Sequence, residues 1–396
     1  MLIAPTISSV QDASPVSESK EENSSGQKRL LGLDVLRFVA VTLVVLRHVA
    51  VKGDSWCSPI LAFAKRGAWL GVDIFFVLSG FLVSGLLFRE YQKNGEVRLG
   101  RFLMRRGWKI YPAIWFMVAV SVLLWIAGVW PGSKRGLVGE IFFLQNYLGR
   151  FWFTTWSLAV EEHFYLLLAA IVFLLFRFNR GKHRALSGPF SFVPALFVFL
   201  AIGCLISRII RWRQMAVFDA SKILFPSDCR MDELMFGVLL SYFWHFSPGN
   251  RFRDWTCRWR WGLISLGIGC VAPAFLWEVE VSPWMVLFGV MIFTLGAGML
   301  ILGTLSFSGL ENVPVLRQFG KLGSYSYSAY LWHGPFLVLV VMWLRANRGS
   351  VWKDWMEFPV SFIATWMLGI IAARLVEIPV LRLRERYFPV ELPKLK

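Results

Sequence analysis

The chain has 396 residues, 56% from the AVILMFWYC set and only 17% charged, whereas an ordinary soluble domain carries about 25% charged residues. Together with 20 Trp and 35 Phe, residue types that concentrate at membrane interfaces, this excludes a soluble globular protein. The net charge of +17 lies between apolar runs, which argues for membrane topology and an anionic ligand and against a nucleic-acid partner, since that would need a water-facing basic surface.

Residues 1–28 are polar and Ser-rich, without the apolar core of a signal peptide. They read as a disordered tail. Stretches near the length a bilayer requires, about 17 to 25 residues, then recur at 31–51, 69–88, 110–130, 155–176, 192–210, 231–246, 262–277, 284–306, 323–344 and 358–380. The expected fold is an all-α polytopic bundle of about ten transmembrane helices filling one membrane domain, 29–385, with a short tail at 386–396. The segment 137–148 is too short to span and reads as interfacial or re-entrant. No internal repeat supports an inverted-repeat transporter. Five Cys make no disulfide framework and show no metal spacing, so no metal is expected. Cys57 and Cys229 fall on one side of this topology; a single bridge between them is conceivable, with free thiols the simpler reading.

Orientation follows from Lys and Arg in the short loops. Most of the 42 fall in the tail, the even-numbered loops and the C-terminus. Both termini are therefore expected in the cytoplasm.

Ionised groups inside spans are costly, about 2.5 to 3.5 kcal/mol for a central Arg on insertion scales, and so point to function. The first span, LLGLDVLRFVAVTLVVLRHVAV, sets Arg37 and His48 on one face, about 16 Å apart along the axis. Asp34 is placed to pair with Arg37 at i, i+3, and Arg47 reads as a snorkelling anchor. Asp73 opens the second span in GVDIFFVLSGFL. In RFLMRRGWKIYP, Arg101, Arg105, Arg106 and Lys109 share a broad helix face that can grip phosphates or simply mark a cytoplasmic helix end; Tyr111 closes the stretch. TWSLAVEEHFYLL brings Trp156, Ser157 and the adjacent carboxylates Glu161 and Glu162 into an apolar helix. Arg230 and Asp232 in RMDELMFG, His333 in SYSAYLWHGP and Glu377 in VEIP complete the set.

In order and spacing, these motifs resemble the integral-membrane acyltransferase type 3 family over residues 31–380. The resemblance implies transfer of an acyl group, often acetyl, from cytoplasmic acyl-CoA to a hydroxyl of a cell-surface or lipid-linked carbohydrate. It implies no permanently bound cofactor. Arg37 and His48 match the family's paired Arg and His of the first helix. Lys109 departs where Arg is common and keeps the charge without the bidentate fork; His163 stands where Gln is common. The outer hydrolase-like domain of some members is not expected here, so transfer would finish in the membrane domain or with a separate partner.

Acyl transfer from a thioester to an alcohol needs a base, stabilisation of an oxyanion and a grip on the donor. The expected catalytic set is His48, Arg37, Glu161 and Glu162. Arg101, Arg105, Arg106, Lys109 and Tyr111 are expected to hold acyl-CoA, and Asp73, Trp156, Ser157, Arg230 and Asp232 the acceptor. On this topology His48, Asp73, Glu161 and Glu162 gather toward the outer leaflet. A polysaccharide or lipid-linked sugar exporter is the alternative. A purely structural subunit would rarely bear such intramembrane charge.

Overall fold

The computed structural model describes residues 31–49, 58–178, 188–307, 309–337, 346 and 356–388. The tail 1–28, Cys57 and the end of the expected ninth span lie outside the described residues. All regular elements among those described are helical.

Helix α1 (Leu31–His48) carries Asp34 in its first turn and Arg47 and His48 in its last, charges that suit the dipole at each end. A short helix α2 (Ser58–Arg66) leads through a 3₁₀ turn into α3 (Leu70–Asn94). Gly95 ends α3 in the left-handed region at φ 72°, donating its N–H to the Tyr91 carbonyl at 2.7 Å, a conformation that favours glycine. Helix α4 (Leu99–Ile126) starts earlier than the expected third span, so the basic stretch Arg101–Lys109 forms its first turns. Helix α5 (Lys134–Ile141) is capped by the Ser133 hydroxyl and is indeed too short to span.

Helices α6 (Trp156–Phe178), α7 (Val193–Arg213), α8 (Ser221–Leu224) and α9 (Met231–Phe246) follow. After them come α10 (Arg251–Arg258), α11 (Arg260–Val271), α12 (Pro273–Leu276), α13 (Val290–Leu305), α14 (Pro314–Gly323) and α15 (Ser326–Phe336). The described chain ends in α16 (Glu357–Ala372), a π-helical turn at Ala373–Glu377, and α17 (Ile378–Tyr387).

Each of the ten expected stretches contains a helix, but the count of ten spans is not reproduced. By length and apolarity, six described helices can cross a bilayer, or seven if the pair Pro248–Arg258 and Arg260–Leu276, bent by 66°, is one span. Helix α1 fails on charge, with Asp34, Arg37 and Arg47 among its 18 residues. Helix α9 has only 16 residues, and α15 is described only as far as its junction with Leu337.

The tightest crossing joins α3 to α9. A Cβ at Gly80 would lie 1.9 Å from the Leu234 carbonyl oxygen, and one at Gly237 would lie 2.2 Å from that of Val77. Only hydrogen-sized side chains let the backbones meet, the usual device of membrane helix packing. The main core then runs from α1 and α3 through α4 and α6 to α15 and α16, with Phe76, Trp152, Phe164 and Tyr165 among its buried rings.

Candidate active site

The ends of α1, α3, α6 and α15 enclose a cavity of about 570 Å³, an ordinary size for a ligand site. Its wall is largely aromatic, with Trp69, Trp130, Phe151, Phe153, Trp156 and Phe225. Arg47, His48, Arg150, Glu280 and Tyr330 are its main polar groups. Arg47 pairs with Glu280 and stacks 5.0 Å over Trp69, so it is tied across the chain rather than snorkelling. The Arg150 guanidinium lies 4.4 Å over the Phe225 ring.

The His48 ring meets Phe153 edge-on at 4.9 Å and stands 5.4 Å from the ring of His333. His333 is fully buried, and its Nδ1 bonds to the Tyr330 carbonyl. A carbonyl only accepts, so Nδ1 carries the hydrogen and Nε2 presents a lone pair. That Nε2 has no protein partner among the described residues. Leaving a buried acceptor unpaired costs roughly 1 to 3 kcal/mol, which favours a donor from a neighbouring side chain such as His48. The Tyr330 hydroxyl in turn contacts Ser157 at 2.5 Å and donates to the Thr154 carbonyl at 3.0 Å, which fixes α15 against the start of α6.

The loop that supplies Phe151 and Phe153 is held by one buried carboxylate. Glu140 Oε1 accepts from the Phe151 and Trp152 amides at 3.2 and 3.1 Å and from the Thr155 hydroxyl at 2.7 Å. Trp152 stacks on Trp130 at 4.6 Å and donates its indole N–H to Ser121 at 2.7 Å. Burial pushes the Glu140 carboxyl up to about 6, and the three donors offset this only in part. The folded protein thus takes up a proton at Glu140 more readily than the unfolded chain, whose value is 4.5. Stability tied to Glu140 is present below that unfolded value and is lost as pH rises through about 6, by about 2 kcal/mol in all at 1.36 kcal/mol per unit. Melting of the detergent-solubilised protein should fall between pH 4.5 and 7, and Glu140→Gln should flatten that slope. An unchanged slope in the variant would assign the effect elsewhere.

A second polar group lies deeper in the bundle. Arg106 stacks 4.1 Å over the Tyr165 ring, bonds its hydroxyl and stands 3.7 Å from Glu161. Glu161 also accepts from Tyr165 at 2.6 Å and Ser79 at 3.1 Å. Tyr111 donates to Glu162 Oε1, while Glu162 Oε2 is buried without a hydrogen-bond partner among the described residues. Lys109 sits in the field of Arg106, Arg37, Glu377 and Arg384. Here the structure corrects the expected grouping: Glu161 and Glu162 keep company with the basic residues of α4, not with His48. Arg37 pairs with Asp34 at 2.5 Å, as its i, i+3 spacing predicts.

The expected donor grip is divided. Arg105 turns away from Arg106 and binds Glu385 at 2.8 Å and the Phe388 carbonyl, tying α4 to α17. Arg101 is half-buried in the first turn of α4. Of the residues expected to hold the acceptor, Trp156 lines the cavity and Ser157 stands behind Tyr330. Asp73, Arg230 and Asp232 do not line it. Arg230 binds Asp73 at 2.5 Å and Glu233 at 2.7 Å, and Arg208 grips Asp232 with both oxygens at 2.7 and 2.8 Å. All five are almost fully buried. The Arg230 guanidinium lies 5.7 Å from the ring of Trp156, which lines the cavity. Cys229 is a free thiol.

The acyltransferase domain family matches residues 30–374, nearly all of the described bundle. The chain belongs to this family. It is 25% identical over 389 residues to the peptidoglycan O-acetyltransferase OatA of Listeria monocytogenes, covering 91% of this chain and 57% of that protein. With the O-acetyltransferase OatA of Staphylococcus aureus it shares 27% identity over 396 residues, 95% of this chain and 61% of the relative. The chain therefore spans about three-fifths of the length of these curated relatives. No solved structure matches it. For this acyltransferase-family member, the sequence pointed to His333 without placing it at the site, set Tyr165 on the face of Glu162 where it bonds Glu161 instead, and gave no pointer to Tyr330 or Arg150. A His in mid-span was a usable signal; Arg150, in a loop, gave none.

Proposed function

We propose that the protein is a membrane O-acyltransferase that moves an acyl group, acetyl by analogy with its named relatives, to a carbohydrate hydroxyl in the cavity beside His48. The observation that carries this reading is His48 at the cavity wall, backed by a fully buried His333 whose Nε2 has no hydrogen-bond partner among the described residues. On this reading His48, 5.4 Å away between ring centroids, turns to donate a ring N–H to His333 Nε2. The other His48 nitrogen then offers its lone pair to the cavity. A base oriented by a second buried acceptor is the usual arrangement for activating a hydroxyl.

The acceptor hydroxyl gives its proton to His48 as its oxygen attacks the thioester carbonyl. The carbon–sulfur bond then breaks, and the proton passes to the departing sulfur, leaving ester and free thiol. Aromatic faces suit the C–H faces of a sugar ring. Arg150 supplies positive charge at the cavity wall. The donor proposed is acyl-CoA, reaching the cavity from the cytoplasmic side past Arg106, Lys109 and Tyr111, with Arg37 on the α1 stripe between. Glu161 holds Arg106 in place along that route, and Glu162 has one oxygen open to a donor group. Both termini are proposed to be cytoplasmic, from the bias of Lys and Arg in the loops.

The test is reconstitution in proteoliposomes with acetyl-CoA and an oligosaccharide. Acceptor-dependent release of free thiol, with acetyl recovered on the oligosaccharide, is expected. Movement of the oligosaccharide across the membrane without thiol release would instead identify an exporter.

A further inference from the structure

A second cavity of about 610 Å³ opens beside the first, between the loop before α6 and the stretch linking α7 to α9. The two cavities share Arg150 and Phe225, so whatever fills one touches the same side chains as whatever fills the other. Among the described residues three cations, Arg150, Arg211 and Lys222, line the second cavity, and no carboxylate does. Two neighbouring acids are already engaged, one of them balancing Arg211. Asp228 is held by Arg211 at 3.0 Å and by the Ser207 and Tyr147 hydroxyls, and Asp219 accepts from the Ser221 amide and hydroxyl at 3.0 and 2.6 Å.

Neutral hydrogen-bonding groups complete the lining: Asn146, Gln214 and Ser221. Asn146 donates its amide to the Trp156 carbonyl at 2.9 Å, while its Oδ1 is buried with no partner among the described residues. That atom is an acceptor waiting for a hydroxyl or amide hydrogen. Cations with amides and an orphan acceptor suit a polyhydroxylated anion better than an acyl chain. Because Arg150 and Phe225 line both cavities, an acceptor acylated beside His48 can extend past them into this one.

We infer that this cavity is an acceptor subsite for a carboxylated glycan, binding a negatively charged sugar next to the one that receives the acyl group. The inference rests on the transferase reading above for its link to His48, but the binding itself can be measured without turnover.

The probes are a fluorescent uronic-acid hexasaccharide and its carboxyl-reduced, neutral counterpart, titrated against the full chain in zwitterionic nanodiscs. The charged probe should bind about 10-fold or more tighter, the scale of one charge-assisted bond, and the preference should fade with salt. Arg150→Gln with Lys222→Gln, both exposed positions, should remove the preference; Lys222→Glu alone should weaken the charged probe further than the neutral one. Equal binding of the two probes, or an unaltered preference in both variants, overturns the subsite. So does loss of phosphatidylglycerol-vesicle binding in the variants with the hexasaccharide unaffected, which would make the cavity a lipid-headgroup site. Charge preference without thiol release would refute the transferase and leave the subsite standing. Thiol release with no charge preference would do the reverse.

Discussion

His48→Ala is expected to insert and fold normally while transferring acyl groups about 10²- to 10⁴-fold more slowly, the usual size of general-base assistance. The ring is half-buried at a cavity wall, so its loss enlarges a space already open and creates no sealed void. Donor binding should be nearly intact, because the basic residues of α4 belong to a different polar group from His48. His333→Ala should slow transfer less, since His48 would remain but lose its orienting neighbour. A His48→Ala protein that turns over at the wild-type rate would remove this residue from the mechanism, leaving the family assignment untouched.

Arg230→Ala should abolish folded protein. The Arg230 guanidinium lies between Asp73 and Glu233, all three buried. Removing one partner of a buried ion pair costs about 3 to 5 kcal/mol, because the remaining charge is left uncompensated; here two carboxylates would be left facing each other. That is a large part of the 5 to 15 kcal/mol that holds an ordinary domain together. Neutralising the whole group, Arg230→Met with Asp73→Asn and Glu233→Gln, should recover much of the loss. Size-exclusion profiles and melting temperatures in detergent would report both. A monodisperse Arg230→Ala protein with wild-type melting would show that the triad contributes little.

Local periodicity made α1 legible: the Asp34–Arg37 pair and the Arg37–His48 stripe follow from helix geometry and the short distance along the chain. Distance along the chain also explains what was not legible. Arg230 finds Asp73 from 157 residues away, and no spacing rule announces such a pair. The company of Glu161 was misjudged for a related reason. Its position in α6 fixes height but not which neighbour faces it, and the neighbour proved to be Arg106 on α4. The extent of α4 was underestimated because its first turns are basic, and a hydropathy window reads basic turns as loop. Motif order and spacing identified the family correctly where single residues would not have.

The Gly80–Gly237 crossing has a mechanical consequence. Where two backbones touch without intervening side chains, the helices behave as a keyed joint: any side chain brought to the contact would meet a carbonyl oxygen less than 3 Å away. Helices α3 and α9, with Asp73 and Ser79 on one and Asp232 and Glu233 on the other, therefore travel as a single rigid body. The give needed to admit a substrate must come from seams joined by side chains, such as the one where Arg105 of α4 reaches Glu385 of α17. An arginine can swing through several rotamers; a carbonyl pressed against a glycine cannot.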